Sequence, residues 1–317
     1  MHAVTIVDGG LEWREHPDPR PAAGELLVDV RAAGVSRADV LQRDGLYPPP
    51  PGTPPDMPGL DLAGEVVEVG PGVTRFSVGD RVMAVVPGTG QAERAVVHER
   101  LALPVPDRMS WVAAGAFPEN YTTAHDALFA QCGLAMGERV CVHGAAGGVG
   151  TAAVELAAAA GCSVVATVRN EDLRPRVAEL GGGGVVSAVA PDRFGEHGPF
   201  DVILELVGAV NLAANLDALA MLGRLSIIGV GAGATAEINL MAVMAKRARI
   251  VGSTLRTRPF EDKADAARRI ERHVLPLVEA GRITVPIADT YPMPEARAAY
   301  ERFEAGGKLG RIVLVRE

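Results

Sequence analysis

The rhythm of apolar and polar positions changes twice along this chain. Through residues 1–120, short valine-rich runs at 25–32, 62–69, 81–86 and 93–97 are divided by turn signals such as Gly70-Pro71-Gly72 and Gly79-Asp80. That spacing predicts a small barrel or sandwich. The stretch 47–58 holds seven prolines in twelve residues. Proline lacks the N–H that a helix or a central strand needs, so this is a stiff loop. From Tyr121 the pattern alternates. Strands are expected over 139–143, 163–168, 185–189, 201–206, 224–228 and 249–252, with helices over 151–160, 174–180, 212–221 and 240–248. Alternation of this kind predicts right-handed βαβ units, a parallel sheet of about six strands and helices on both faces. Val202-Ile203-Leu204 and Ile227-Ile228 are apolar on consecutive positions, as strands buried on both faces should be. An amphipathic helix is expected over 262–280, and a closing strand over 312–315 rejoins the N-terminal part. The expected architecture is α/β: a β-rich domain, 1–122 completed by 262–317, interrupted by a doubly wound domain, 123–261.

The strongest local signal is Gly144-Ala145-Ala146-Gly147-Gly148-Val149-Gly150. A predicted strand precedes it and a small-residue helix follows. In that context glycines let the backbone turn sharply and approach a pyrophosphate closely. The free N–H groups and the positive helix end then hold the phosphates. Gly147, Gly148, Val149 and Gly150 are therefore candidate dinucleotide-binding residues. The bland alternative is a flexible turn.

The second signal is an absence. Sites that prefer NAD carry a carboxylate at the tip of the second strand, about twenty residues past the glycines. Here the tip reads Thr167-Val168-Arg169-Asn170, with Glu171 and Asp172 just beyond. A guanidinium suits the extra 2′-phosphate of NADP, so Arg169, beside Asn170, points to NADPH. Arg174 and Arg176 are either helpers or solvated helix-face residues. In open α/β sheets, ligands sit at the carboxyl ends of strands. This brings in Val207 and Gly208, then Gly229 and Val230, then Ser253 and Leu255. Turn chemistry alone is the competing reading for the glycines.

Charge narrows the partners. Thirty-one basic and 39 acidic residues leave a net charge of −8, with no clustered basic stripe. Neither nucleic acid nor an anionic membrane is expected as partner. No apolar run is long enough to span a bilayer, and the N-terminus shows no secretory pattern. Cys132, Cys141 and Cys162 form no Cys-x-x-Cys pair or disulfide framework, which suits a reducing cytoplasm. The seven histidines show no His-x-x-x-His spacing, so zinc has few candidate ligands.

Several segments together carry a resemblance. These are Gly34-Val35-Ser36-Arg37-Ala38-Asp39-Val40-Leu41-Gln42-Arg43-Asp44-Gly45-Leu46-Tyr47-Pro48, Gly59-Leu60-Asp61-Leu62-Ala63-Gly64-Glu65-Val66, Val78-Gly79-Asp80-Arg81-Val82, the glycine turn and Gly310-Arg311-Ile312-Val313-Leu314. As a set they resemble the quinone oxidoreductase family of the medium-chain dehydrogenase/reductase superfamily. Pro48 to Gly52, Gly88-Thr89-Gly90-Gln91-Ala92 and Pro118-Glu119 look most like its tumour-suppressor-induced branch. The resemblance implies a GroES-like catalytic domain around a Rossmann domain, NADPH as cofactor, a homodimer, and cofactor contacts that include Thr122, Gly310 and Arg311. Zinc-dependent relatives place a zinc cysteine where this chain has Ser36 and a zinc histidine where it has Leu60, and the four-cysteine lobe is missing. No metal is therefore expected. Closer relatives usually carry asparagine at the Ser36 position, near the nicotinamide, and many carry a lysine near Leu173.

The expected reaction is hydride transfer from NADPH to a quinone or a similar conjugated acceptor, which needs little polarisation beyond orientation and a dry cleft. Tyr47 is the candidate proton donor, with packing in the proline loop as the other reading. Ser36, near the nicotinamide by the same resemblance, is the second candidate catalytic residue. Asp39 and Arg43 either line the same wall or form a structural pair. An enoyl or 2-alkenal reductase is the alternative, and an NADPH-binding crystallin-like or sensor protein the third.

Overall fold

The computed structural model describes residues 1–316, and the chain divides into two compact units. The first comprises 1–122, 255–279 and 285 to the C-terminus, the second 123–254 and 280–284. The boundary thus falls after Thr254 rather than after residue 261. Arg256 explains why: its side chain is buried in the first unit, donating to the carbonyls of Pro87 at 2.7 Å and Tyr47 at 2.9 Å. Thr284 goes with the second unit because its N–H and hydroxyl both donate to the Glu155 carboxylate, at 2.9 and 2.7 Å.

The first unit is organised by the strand Glu25–Val35. Asp61–Val69 pairs with it antiparallel along one edge. Along the other, Arg311–Val315 takes the end near Val35 and Arg94–His98 takes the end near Glu25. Ile287–Pro292, Arg81–Val85 and Ala102–Pro104 complete the sheet. Register shifts between Leu27 and Val28 and between Val30 and Ala32 bend the central strand, as bulges do. Alternate residues point inward, so Val28, Val30, Val66, Val82, Ile312 and Leu314 share one core with Tyr300 of the helix Ala296–Glu304.

Three features of this unit differ from the pattern-based expectation. A hairpin, His2–Val7 with Gly10–Glu15, turns at Asp8-Gly9, and Asp-Gly between alternating strands is the strongest short hairpin signal. A helix, Arg37–Arg43, interrupts the β pattern because Ser36 caps it. The expected helix over 262–280 is two helices, Phe260–His273 and Leu275–Glu279. Pro276 has no N–H to continue the hydrogen-bond ladder, so the first helix ends before it.

The second unit is a six-stranded sheet, every pair parallel. In space the order is Val186–Val189, Ser163–Thr167, Arg139–Val142, Phe200–Glu205, Leu219–Ile227 and Arg249–Gly252. In chain order this is 3-2-1-4-5-6, the doubly wound arrangement. Cys141, Ile203 and Leu225 are fully buried in its middle. The helix expected over 212–221 stops at Ala218, and the fifth strand begins at once with Leu219, paired to Phe200. Leu219 is buried while Met221 and Leu222 are exposed. A helical period through 221 does not fit that burial. No helix among the described residues is long and apolar enough to cross a membrane.

Candidate active site

The glycine turn lies between the strand Arg139–Val142 and the helix Gly148–Ala159. The first intrahelical bond is Thr151 N–H to the Gly147 carbonyl at 2.8 Å. The amides of Gly148, Val149 and Gly150 precede it and have no acceptor within the helix. Gly147 caps the helix with no side chain to fill the space. At Gly150 a β-carbon would lie 2.5 Å from the Gly144 carbonyl oxygen and 2.7 Å from Ala145 Cα. That is the close helix–strand approach that the third glycine of a dinucleotide fingerprint provides. A dipole end and amides without intrahelical acceptors are the features by which a helix start can hold an anion.

Arg169 follows the second strand. It is exposed and has no ion pair or hydrogen bond among the described residues. Asn170 is exposed too, and its side-chain oxygen accepts the Asp172 N–H at 3.0 Å, starting a short helical turn. Arg174 folds back on the Val168 carbonyl at 3.3 Å, while Arg169 and Arg176 are both exposed. Past the fourth strand, the N–H groups of Val207 and Gly208 both donate to the Glu205 carboxylate, at 2.6 and 2.8 Å. Gly229 packs on the Leu206 backbone, and Val230 is half exposed. The Ser253 hydroxyl donates to Asp126 at 3.1 Å. Leu255 falls in the first unit.

In the first unit Tyr47 is half-buried at the start of the proline loop. The Arg256 guanidinium sits 5.1 Å from its ring centre and donates to its backbone carbonyl. The Tyr47 hydroxyl has no hydrogen bond among the described residues. Burial raises its pKa, while the Arg256 charge pulls the other way. Arg256 also donates to Gln42 at 2.5 Å, and Gln42 in turn donates to the Pro55 carbonyl at 2.9 Å. Arg256 therefore ties the helix Arg37–Arg43 to both ends of the loop that carries Tyr47. Arg256 lies one residue past Leu255, the last strand-end candidate, and carries no local motif.

Two expected site residues have other duties. Ser36 was expected near the nicotinamide. Its hydroxyl donates to Asp39 at 2.7 Å and accepts the Asp39 N–H at 3.3 Å, and the Ser36 N–H donates to the Asp39 carboxylate to complete a capping box. Arg311 was expected at the cofactor. It is 4% exposed and forks onto Asp61 at 3.0 and 2.9 Å, with Glu119 at 2.9 Å and Asn120 at 2.7 Å. Its Nη1 is taken by Glu119 and Asn120 and its Nη2 by Asp61, while Nε has no hydrogen-bond partner among the described residues. Gly310 lies against the Pro286 backbone, and Thr122 is buried in the helix Pro118–His125. Asp39 and Arg43 do not pair with each other. Asp39 accepts from Ser36 and Gly59, and Arg43 forks onto Glu304 at 2.9 and 3.0 Å. Leu60 is buried. No group of three or more His, Cys, Asp or Glu among the described residues is placed to hold a metal ion.

The chain matches the family model "Alcohol dehydrogenase GroES-like domain" over residues 22–130 and "Zinc-binding dehydrogenase" over 148–272. It is 33% identical over 307 residues to a quinone oxidoreductase of Rattus norvegicus, across 94% of this chain and 91% of the relative. It is 31% identical over 347 residues to the acryloyl-coenzyme A reductase of Metallosphaera sedula, across 99% of each. A mycobacterial protein solved in complex with NADPH superposes over 100% of both chains, with a TM-score of 0.86 at 27% identity. The two units, the 3-2-1-4-5-6 sheet with its glycine turn, and likeness along nearly the whole chain lead to one assignment: the protein belongs to the medium-chain dehydrogenase/reductase superfamily, within its quinone oxidoreductase family.

Proposed function

We propose that this protein is a zinc-independent reductase that uses NADPH to reduce a quinone or a similar conjugated carbonyl acceptor. The observation that carries the cofactor is the Gly150 contact, a backbone approach too close for any side chain, beneath amides that have no intrahelical acceptor. When bound, NADPH supplies the hydride. The Gly148, Val149 and Gly150 amides would hold its pyrophosphate, and Arg169 would hold the 2′-phosphate. Asn170, Val207, Gly208, Gly229, Val230 and Ser253 form the surrounding strand-end loops. Tyr47 Oη hydrogen-bonds the acceptor oxygen and donates its proton there, with Arg256 fixing the ring. The Ser36 capping box and the donor-free Leu60 support a reaction without zinc, because neither position offers the ligand that the zinc-dependent relatives carry.

A homodimer completes the reading. Arg249–Gly252 is the outermost strand of its sheet, and the nearby helix Leu240–Lys246 leaves Leu240, Met241 and Met244 exposed. A bare edge beside an apolar face suits a second copy of the chain. The protein acts on small molecules in the cytoplasm, with no nucleic acid or membrane partner.

The likeness to an acryloyl-coenzyme A reductase over the full chain favours one second reading, reduction of an enoyl thioester. The test is NADPH absorbance followed against quinones, enals and enoyl thioesters. Fastest turnover with a quinone is expected. Fastest turnover with an enoyl thioester establishes the second reading, and no turnover with any acceptor leaves a non-catalytic NADPH-binding protein. Within the same panel, Tyr47→Phe is expected to lower kcat about 10²-fold, the lower range for a lost proton donor. The Kd for NADPH should stay within twofold. An unchanged kcat on every acceptor returns Tyr47 to packing.

Arg169→Ala is expected to raise the Kd for NADPH about tenfold, near the lower value for a charge-assisted hydrogen bond, while that for NADH hardly moves. Equal losses for both cofactors, read by fluorescence titration, remove Arg169 from the phosphate site.

A further inference from the structure

Beneath the glycine turn lies a buried polar chain that the reaction itself does not use. Glu205, at the carboxyl end of the fourth strand, is 3% exposed. One of its oxygens accepts the Val207 and Gly208 N–H groups. The other accepts Nδ2 of Asn215 at 2.8 Å and Nδ2 of Asn211 at 3.1 Å. Asn215 Oδ1 lies 2.7 Å from His143 Nε2, and His143 Nδ1 lies 3.1 Å from Thr167 Oγ1. Thr167 Oγ1 receives the Gly144 N–H at 3.3 Å.

For a neutral His143 ring, one set of proton positions satisfies this chain. A carboxylate can only accept, so Asn215 must turn its NH₂ to Glu205 and its carbonyl to His143. His143 must then carry its proton on Nε2, which leaves Nδ1 to accept the Thr167 hydroxyl proton. The Thr167 lone pair is thereby free for Gly144. Burial also holds His143 below the usual imidazole range, in keeping with a neutral ring. The chain connects the ends of the first, second and fourth strands, and it reaches both turns assigned to the dinucleotide. The Gly208 turn is rigid at its far side as well. Its φ is +137°, and a β-carbon there would lie 2.7 Å from the Gly233 carbonyl oxygen.

We propose that Glu205 is a positioning residue for dinucleotide binding: it pins the Val207–Gly208 turn directly and, through Asn215, His143 and Thr167, sets the Gly144 backbone at the head of the glycine turn. The proposal rests on the NADPH reading above. Charge and hydrogen-bond direction both matter, so the neutral isostere is the informative change. A glutamine that keeps its carbonyl toward Val207 and Gly208 turns its NH₂ on the NH₂ of Asn215. Asn215 must then flip, and His143 must move its proton to Nδ1.

The experiment is Glu205→Gln in the full chain, with NADPH titrated by fluorescence and the His143 tautomer read by ¹⁵N NMR. The Kd for NADPH is expected to rise about tenfold and the His143 proton to move from Nε2 to Nδ1, while the KM for the acceptor changes less than twofold. Should that variant fail to fold, Thr167→Val cuts the same chain at its other end and is expected to raise the Kd several-fold. A folded Glu205→Gln, or failing that a folded Thr167→Val, that binds NADPH within twofold of the unaltered protein overturns the positioning role. If the unaltered protein binds no NADPH, the cofactor reading itself falls, and the tautomer shift alone does not rescue the role proposed for Glu205.

Discussion

Gly150→Ala is expected to raise the Kd for NADPH about 100-fold, equivalent to about 2.7 kcal/mol. The new methyl would lie 2.5 Å from the Gly144 carbonyl oxygen and 2.7 Å from Ala145 Cα. Both are backbone atoms, so no side chain can swing aside. The helix Gly148–Ala159 must move away from the strand Arg139–Val142, and the amides that hold the pyrophosphate move with it. Overpacking of this kind also costs about 1–3 kcal/mol of stability. Gly147→Ala is the control. Its β-carbon would meet nothing nearer than the Gly144 oxygen at 3.5 Å, so its stability should match the unaltered protein while NADPH binding weakens. Isothermal titration and thermal unfolding of both variants check the pair. Tight NADPH binding by Gly150→Ala would break the link between this close approach and the cofactor.

Arg311→Met is expected to destabilise the protein by about 3–5 kcal/mol, the cost of leaving one half of a buried ion pair alone. Asp61 is fully buried, and without Arg311 it would keep only the N–H groups of Gly34 at 3.1 Å and Glu119 at 3.3 Å. The loss should depend on pH, with a definite sign. Burial pushes the Asp61 carboxyl up from 3.8 to about 7 even with Arg311 opposing it. A carboxyl with a raised folded pKa favours folding at low pH, and that contribution is lost as pH climbs from near 4 through 7. Removing the opposing cation raises the folded pKa further. The variant should therefore be closer to the unaltered protein at pH 5 than at pH 8. Adding Asp61→Asn should recover part of the stability at pH 8. Urea unfolding at the two pH values measures both effects. A loss below 1 kcal/mol at pH 8 would mean that the network is not structural.

The nucleotide unit was legible from the residues because its signals are local. The glycine turn, its flanking strand and its helix occupy one short stretch. Parallel strands buried on both faces announce themselves as apolar runs. The errors there were of extent: Leu219 satisfies a helical period and a strand equally well until its pairing with Phe200 decides. In the other unit, Asp8-Gly9 and Pro276 are local signals for the hairpin turn and the helix break. Likeness to relatives points Ser36 and Arg311 toward the site, while the fold engages them in a helix cap and a buried ion-pair network.

Those two cases mark the divide. Periodicity, turn chemistry and helix caps act within a few residues, and they were enough to specify two units, a doubly wound sheet and a glycine turn at the head of its first helix. Partner choice for buried charges acts across the whole chain. Arg311 meets Asp61 across 250 positions, Arg256 meets Gln42 across 214, and His143 meets Asn215 across 72. A buried polar group must find a partner wherever packing puts one. Which arginine is enclosed by carboxylates and which, like Arg169, stays exposed to solvent was therefore decided by the folded chain alone.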